Sequence, residues 1–224
     1  MKIDFKSFFK HRTREEKGFP TGSRVYYGHQ GNGKTLSLVR YVEKVKKDYP
    51  NCKVFSNVIL KNVPDFVQIK TPADLSDALS VGNGRAGVLV CLDEAHLFFN
   101  NTRGGISLDV LTAISQQRKD RRHIVFTTQI WEEMDISLRK QVPDIVKCRK
   151  FLNMIILTYY NGYTMKYNKQ ENEFIADKEY TEIFKLNDYL YNAYDTYQKI
   201  ITNSEYAREF ANNSYRTQNI PNKK

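Results

Sequence analysis

Residues 28–35 read GHQGNGKT, three glycines followed by a lysine and a threonine. These types at this spacing fit G-x-x-x-x-G-K-[ST], in which glycines let consecutive backbone N–H groups turn toward a phosphate. Gly28, Gly31, Asn32 and Gly33 would form the cradle, Lys34 would reach the β- and γ-phosphates, and the Thr35 hydroxyl would face Mg²⁺. The implied ligand is therefore ATP with Mg²⁺. The bland alternative is a glycine-rich turn, and a strand before with a helix after is the context that separates the two.

Binding is not hydrolysis. A Mg²⁺ site needs a carboxylate on a neighbouring strand, and Asp93 follows the apolar run VLVCL as such a residue should. Glu94, beside it, suits the polarising of an attacking water, a task for which a metal-bound Asp93 is poorly placed. A polar strand end is the plainer reading of an Asp-Glu pair, and the phosphate loop upstream favours the catalytic one. Asp93 to His96 also spell the DEAH box of helicases, but this chain is too short for two tandem RecA-like domains, so His96 is read as a packing or water-bound residue. Downstream, QQRKDRRHIVFTTQ supplies Gln129, whose amide can sense a γ-phosphate, and Arg118, placed to reach a neighbouring subunit's nucleotide as a trans arginine finger. Arg121 and Arg122 compete for that role. Cations that complement a helix C-terminus explain any one of these arginines equally well.

The elements that must position these groups alternate in type. SRVYYG reads as a strand and TLSLVRYVEKVKKDY as a helix, with Leu36, Leu38, Val39, Val42 and Val45 near helical spacing and Pro50 beyond its end. CKVFSNV and FVQIK are strand-like. In TPADLSDALS, Thr71 is an N-cap and Pro72 a first helical residue. GVLVCL and HIVFTT are buried-strand runs that flank the helical SLDVLTAISQQRKDR. This order predicts an α/β chain with a mostly parallel sheet flanked by helices. Past Pro143 the pattern becomes strands, with a tight hairpin turn expected at Asn161-Gly162. A helix is expected from Asp188 to about Asn212, with Leu190, Tyr194, Tyr197 and Ile201 on one face. The expected organisation is one domain: an N-terminal basic and aromatic arm (1–22), the core (23–150), a strand and hairpin extension (151–185), and a C-terminal helix with its tail (186–224).

Composition bounds the partners. The chain has 224 residues and a formal net charge of +10, with a pI near 9.4, so its surface attracts polyanions such as nucleic acid or acidic lipid heads. The first twenty residues are interrupted by charges and lack a secretory apolar core. FLNMIILTYY is too short to span a bilayer, so no integral membrane span is expected. A cytoplasmic location, with virion association as an extension, is the resulting expectation. Cys52, Cys91 and Cys148 have no metal-gripping spacing and read as small buried hydrophobes.

The phosphate loop, LDEAH, QQRKDRRHIVFTTQ and DISLRKQVPDIVKC, in this order, resemble the HerA/FtsK superfamily of DNA-pumping ATPases. The nearest forms are the small genome-packaging ATPases of tailless viruses and the zonula occludens toxin-like ATPases of filamentous phages. The resemblance spans roughly Val25 to Cys148. It implies a RecA-like P-loop core and a homo-oligomeric ring, hexameric in one expected form, with each site completed by its neighbour and double-stranded DNA moving along the axis. Carried over by position, Lys34 and Thr35 bind phosphate and Mg²⁺, Asp93 the metal and Glu94 the water, while Gln129 is the sensor and Arg118 the trans finger. The expected function is an ATP-driven translocase that packages a viral double-stranded DNA genome, with capsid or portal-vertex proteins as further partners. Arg103, Lys140, Lys147, Arg149 and Lys150 are candidate DNA contacts, each of them also explicable as an ordinary solvated charge. Zonula occludens toxin-like proteins typically carry a membrane span after the core; none is visible here, which tilts the expectation toward packaging. The alternative is an ATPase for phage assembly, extrusion or plasmid transfer at a membrane, with the Phe5, Phe8 and Phe9 arm lying on acidic lipid. A small-molecule phosphotransferase would have no need for the Asp93-Glu94 pair.

Overall fold

GSRVYY forms β1 (Gly22–Tyr27), in which successive side chains enter opposite apolar layers: Val25 faces one and Tyr26 the other. The computed structural model describes residues 18–99, 108–129, 131, 134, 136–168 and 173–194. Residues 1–17 of the arm, with Phe5, Phe8 and Phe9, lie outside them, as do Arg103, Tyr197 and Ile201.

Helix α1 (Lys34–Asp48) follows β1, its buried stripe including Leu38, Val39, Val42 and Val45. Burying each such side chain contributes about 1.5–3 kcal/mol. Lys46 and Lys47 in the last turn complement the helix dipole. β2 (Lys53–Ser56) and the two-residue β3 (Val67–Gln68) precede α2 (Pro72–Ser80). There Thr71 and Asp74 close a reciprocal capping box with Pro72 at the helix start. β4 (Val88–Leu92) leads through an acidic turn to the short α3 (His96–Phe99). α4 (Leu108–Gln116), β5 (Arg122–Thr128) and α5 (Ile136–Arg139) follow.

Eight strands form one sheet. β6 (Asp144–Phe151), β7 (Met154–Asn161) and β10 (Lys178–Lys185) extend it, while β8 (Lys166–Asn168) and β9 (Glu173–Ile175) pair apart. The order is β10-β7-β6-β1-β5-β4-β2-β3. From β6 to β3 every pairing is parallel, and β7 and β10 add antiparallel edge strands. α1 covers one face; α2, α4 and α5 cover the other, so the central strands are buried on both sides. This is the RecA-like P-loop arrangement. β5 lies between the strand that ends in the phosphate loop and the strand that ends in the acids.

Two expectations need correction. The hairpin turn joining β6 to β7 falls at Leu152-Asn153, with Leu152 left-handed at φ 51°. Asn161-Gly162 instead opens a 3₁₀ turn in which the Asn161 side chain accepts from Tyr163 N and Gly162 N donates to the Pro143 carbonyl. That docking to the chain before β6 takes the pair out of hairpin geometry. The C-terminal helix α6 spans only Asp188–Asn192. It stops because Ala193 and Tyr194 are drawn onto the 57–63 loop: Lys61 N donates to the Ala193 carbonyl and Tyr194 bridges to Leu60. Among the described residues no helix is long and apolar enough to cross a membrane.

Candidate nucleotide site

The sheet order brings the ends of β1, β4 and β5 side by side, and the three segments singled out in the sequence leave from those ends. The loop from Gly28 to Gly33 lies on the β6–β7 hairpin. A side chain at Gly28, where φ is 144°, would come within 2.7 Å of the Cys148 carbonyl, and one at Gly33, φ 77°, would collide with the Ile155 side chain. Only glycine permits both the backbone turn and this close approach. Gly33 is the left-handed residue that starts α1, aiming the helix's amino end and its free N–H groups at the loop. Lys34 is buried, and its Nζ lies 3.4 Å from the His29 carbonyl across the loop.

Thr35 Oγ1 lies 3.0 Å from each carboxylate oxygen of Asp93. Asp93 is held from both flanks. Thr127 Oγ1 donates to its Oδ1 at 2.6 Å. The Asn57 side-chain amide pairs with its backbone in both directions, at 2.8 Å to the carbonyl and 2.7 Å from the N–H. Burial pushes the Asp93 carboxyl up, opposed by the hydrogen bonds from Thr127 and Thr35. A hydroxyl and a carboxylate converging at the amino end of a phosphate-loop helix are hard oxygen donors, the set that Mg²⁺ takes together with phosphate oxygens and waters. Thr35 and Asp93 therefore fit the ion.

Glu94 has a left-handed backbone, φ 49°, and its N–H donates to Thr127 Oγ1 at 2.9 Å. Gln129 Nε2 donates to Glu94 Oε1 at 3.1 Å. His96 Nδ1 lies 3.3 Å from Glu94 Oε2 without hydrogen-bond alignment, so that buried oxygen has no hydrogen-bond partner among the described residues. His96 thus contacts the acid rather than simply packing. Lys34, Thr35, Asp93, Glu94 and Gln129 are gathered at one end of the sheet.

Arg118 is placed differently. It follows α4 and precedes β5, at the start of the parallel strands, whereas the phosphate loop leaves the end of β1. Six paired residues separate the two ends, about 20 Å at the rise of a strand. Arg118 is exposed and donates to Tyr163 Oη at 2.9 Å. Arg121 is exposed as well, but Arg122 is buried and committed to Asp120 and the Val81 carbonyl, which removes it from the surface. The candidate DNA contacts do not form one patch. Arg149 and Lys150 are exposed at the hairpin end, Lys140 is exposed at the opposite end of β6, and Lys147 is half-buried near the Tyr27 ring. A cavity of about 640 Å³ between α2 and α4, lined by Arg85, Lys119 and Arg121 among others, also lies at the strand-start end. Its cations complement the carboxyl ends of both helices. Cys52, Cys91 and Cys148 are free and buried, and burial pushes the Cys148 thiol up to about 12.

Asn57 and Thr127 were not foreseen. Asn57 follows an ordinary strand and Thr127 is one of two adjacent threonines in another. Only the parallel pairing of β2, β4 and β5 brings them against Asp93.

The profile of the zonular occludens toxin (Zot) family matches residues 24–198. No curated protein sequence matches the chain. Among solved structures, the N-terminal domain of zonular occludens toxin from Neisseria meningitidis superposes with a TM-score of 0.55 at 20% identity, covering 78% of this chain and 100% of that one. The genome packaging NTPase B204 from Sulfolobus turreted icosahedral virus 2 reaches 0.50 in its ATP-gammaS complex and 0.51 with AMPPCP. Identity is 12% in both, over 69% of this chain and 95% of that one. At these identities the likeness is one of fold.

Proposed function

The chain belongs to the zonular occludens toxin family and is a P-loop ATPase, and we propose that it works as an oligomeric ring that moves double-stranded DNA, packaging a viral genome into a capsid. The observation that carries the ATPase part is the contact of Thr35 with Asp93 beside a Glu94 carboxylate whose inner oxygen accepts no hydrogen bond among the described residues. In this reading the loop amides and Lys34 hold the triphosphate. Thr35 and Asp93 would hold Mg²⁺, which when bound offsets charge on the β- and γ-phosphates. Glu94 Oε2 accepts a proton from the attacking water as its oxygen adds to the γ-phosphorus and the bond to the β–γ bridging oxygen breaks, releasing ADP and phosphate. Gln129, already bonded to Glu94, reports the γ-phosphate. Arg118, too far along the strands to reach its own loop, serves a neighbour's site. The net charge of +10 supports a polyanion as cargo.

A second reading is favoured by the family match itself: the same motor driving phage assembly, extrusion or DNA transfer at a membrane. Both readings share one experiment, ATP hydrolysis with and without duplex DNA at low salt, with oligomer mass recorded. DNA-stimulated turnover by an oligomer is expected. Glu94→Gln should still bind ATP and lose turnover by about 10²–10⁴-fold. Turnover indifferent to DNA removes the translocase, and an active Glu94→Gln removes Glu94 as the water-activating group.

A further inference from the structure

Thr127 touches three consecutive residues of the acidic turn. Its hydroxyl donates to Asp93 Oδ1 at 2.6 Å and accepts from Glu94 N at 2.9 Å, and its carbonyl accepts from Ala95 N at 2.9 Å. A hydroxyl has one proton and two lone pairs. Because the Glu94 N–H points at the oxygen, the proton goes to Asp93, and a single atom ties the metal acid to the backbone of the catalytic acid. The tie matters at Glu94 in particular, since φ 49° is a conformation that L residues rarely hold without external support. Asn57 grips the backbone of Asp93 from the β2 side, so Asp93 stays anchored if the hydroxyl is lost. Glu94 is the residue that the hydroxyl secures. Asp93 Oδ1 also lies 3.0 Å from Thr35 Oγ1, as does Oδ2, so the carboxylate keeps Thr35 as a neighbour whichever oxygen Thr127 engages. Thr127 itself is fully buried in β5, a rigid central strand.

We propose that Thr127 is a positioning residue of this ATPase: its hydroxyl sets the left-handed turn that aims Glu94 at the water. The inference rests on the ATPase reading of the site given above. It assigns the acidic turn a holder on each flank, Asn57 from β2 and Thr127 from β5.

The test compares Thr127→Val, which keeps the shape and removes the hydroxyl, with Thr127→Ser, which keeps the hydroxyl. Steady-state ATP hydrolysis and titration with a fluorescent ATP analogue are measured for both, in native and Glu94→Gln backgrounds. Thr127→Val should lower kcat about 10–100-fold, the scale of a misplaced catalytic group, with ATP affinity changed less than about 3-fold. Thr127→Ser should restore kcat to within about 3-fold of native. In the Glu94→Gln background Thr127→Val should add no further loss, because the carboxylate it positions is already gone. Thr127→Ala, which leaves room for a water to serve the two orphaned groups, is measured alongside in case the valine variant does not fold, and it must show the same kcat-selective loss. Native turnover in both hydroxyl-free variants, equal loss of affinity and kcat, or additive losses with Glu94→Gln would each overturn the inference. Its failure is distinguishable from that of the site reading: an active Glu94→Gln removes Glu94 as the water-activating group, whereas an inactive Glu94→Gln beside an active Thr127→Val sinks only the role of Thr127.

Discussion

His123 shows how one buried residue makes the whole fold sensitive to pH. Its Nδ1 lies 2.9 Å from the Gly22 carbonyl and its Nε2 2.9 Å from Tyr41 Oη. A carbonyl can only accept, so Nδ1 carries the proton and Nε2 accepts from the tyrosine, which fixes a neutral tautomer. Burial, and then the charge of Arg24, depress the ring's pKa from 6.5 to about 4. Arg24 cannot leave: its guanidinium bonds Asp144 at 2.9 Å and lies 4.3 Å from the Tyr41 ring. Because the folded pKa is the lower one, the unfolded chain binds more protons between about pH 6.5 and 4. Stability present above 6.5 is therefore lost as pH falls through that window. The loss by pH 4 is on the order of 3 kcal/mol. Urea unfolding across this range should show a steeper decline for the native chain than for His123→Gln, which has no ring to protonate. Parallel declines would remove His123 as the cause.

At the scale of elements, the phosphate loop is not a free-standing turn. It is shaped on one side by β6 and β7, through the Cys148 carbonyl and the Ile155 side chain, and on the other by α1, which starts at Gly33. The two contacts differ in kind. A backbone carbonyl in a paired strand cannot yield, whereas the tip of an isoleucine can be shortened. Gly33→Ala should therefore impair ATP binding in a way that Ile155→Val partly relieves, leaving the left-handed strain of about 1–2 kcal/mol. Gly28→Ala should impair it with no relief from the same partner. Isothermal titration with ATP across the five chains tests the idea, and equal rescue of both alanine variants would contradict it. The acidic turn is built on the same logic, since β2 supplies Asn57, β5 supplies Thr127, and the turn between them has little freedom of its own.

For the whole molecule, the distribution of candidate groups decides what one chain can do alone. The phosphate loop, Asp93, Glu94 and Gln129 share one end of the sheet, and Arg118 lies at the other, about 20 Å along the strands. If Arg118 completes a neighbour's site, chains lacking it and chains lacking Glu94 have complementary defects. Mixing Arg118→Ala with Glu94→Gln, each nearly inactive in hydrolysis, should then recover part of the native turnover, because some interfaces combine an intact Glu94 with an intact Arg118. No recovery, with oligomers still forming by mass, would show that Arg118 does not complete a neighbour's site.

Much of this site is written locally. A run of glycines before Lys34-Thr35, an apolar run closing on Asp93-Glu94, and a polar residue after HIVFTT are short-range patterns, legible because phosphate binding and strand burial each impose their residue types over a few positions. The alternation of strands and helices and the cap at Thr71 are legible for the same reason. Non-local pairing alone decided the rest. That β5 separates β1 from β4, and so places Thr127 under both acids, depends on strand order. Likewise Arg122 is withdrawn from the surface by partners at positions 81 and 120. The β6–β7 turn moved to Leu152-Asn153 because Gly162 docks against Pro143, and α6 ended early because its next residues pair with the 57–63 loop. Each of these outcomes is set by contacts between segments distant in sequence, whose energies no window along the chain contains.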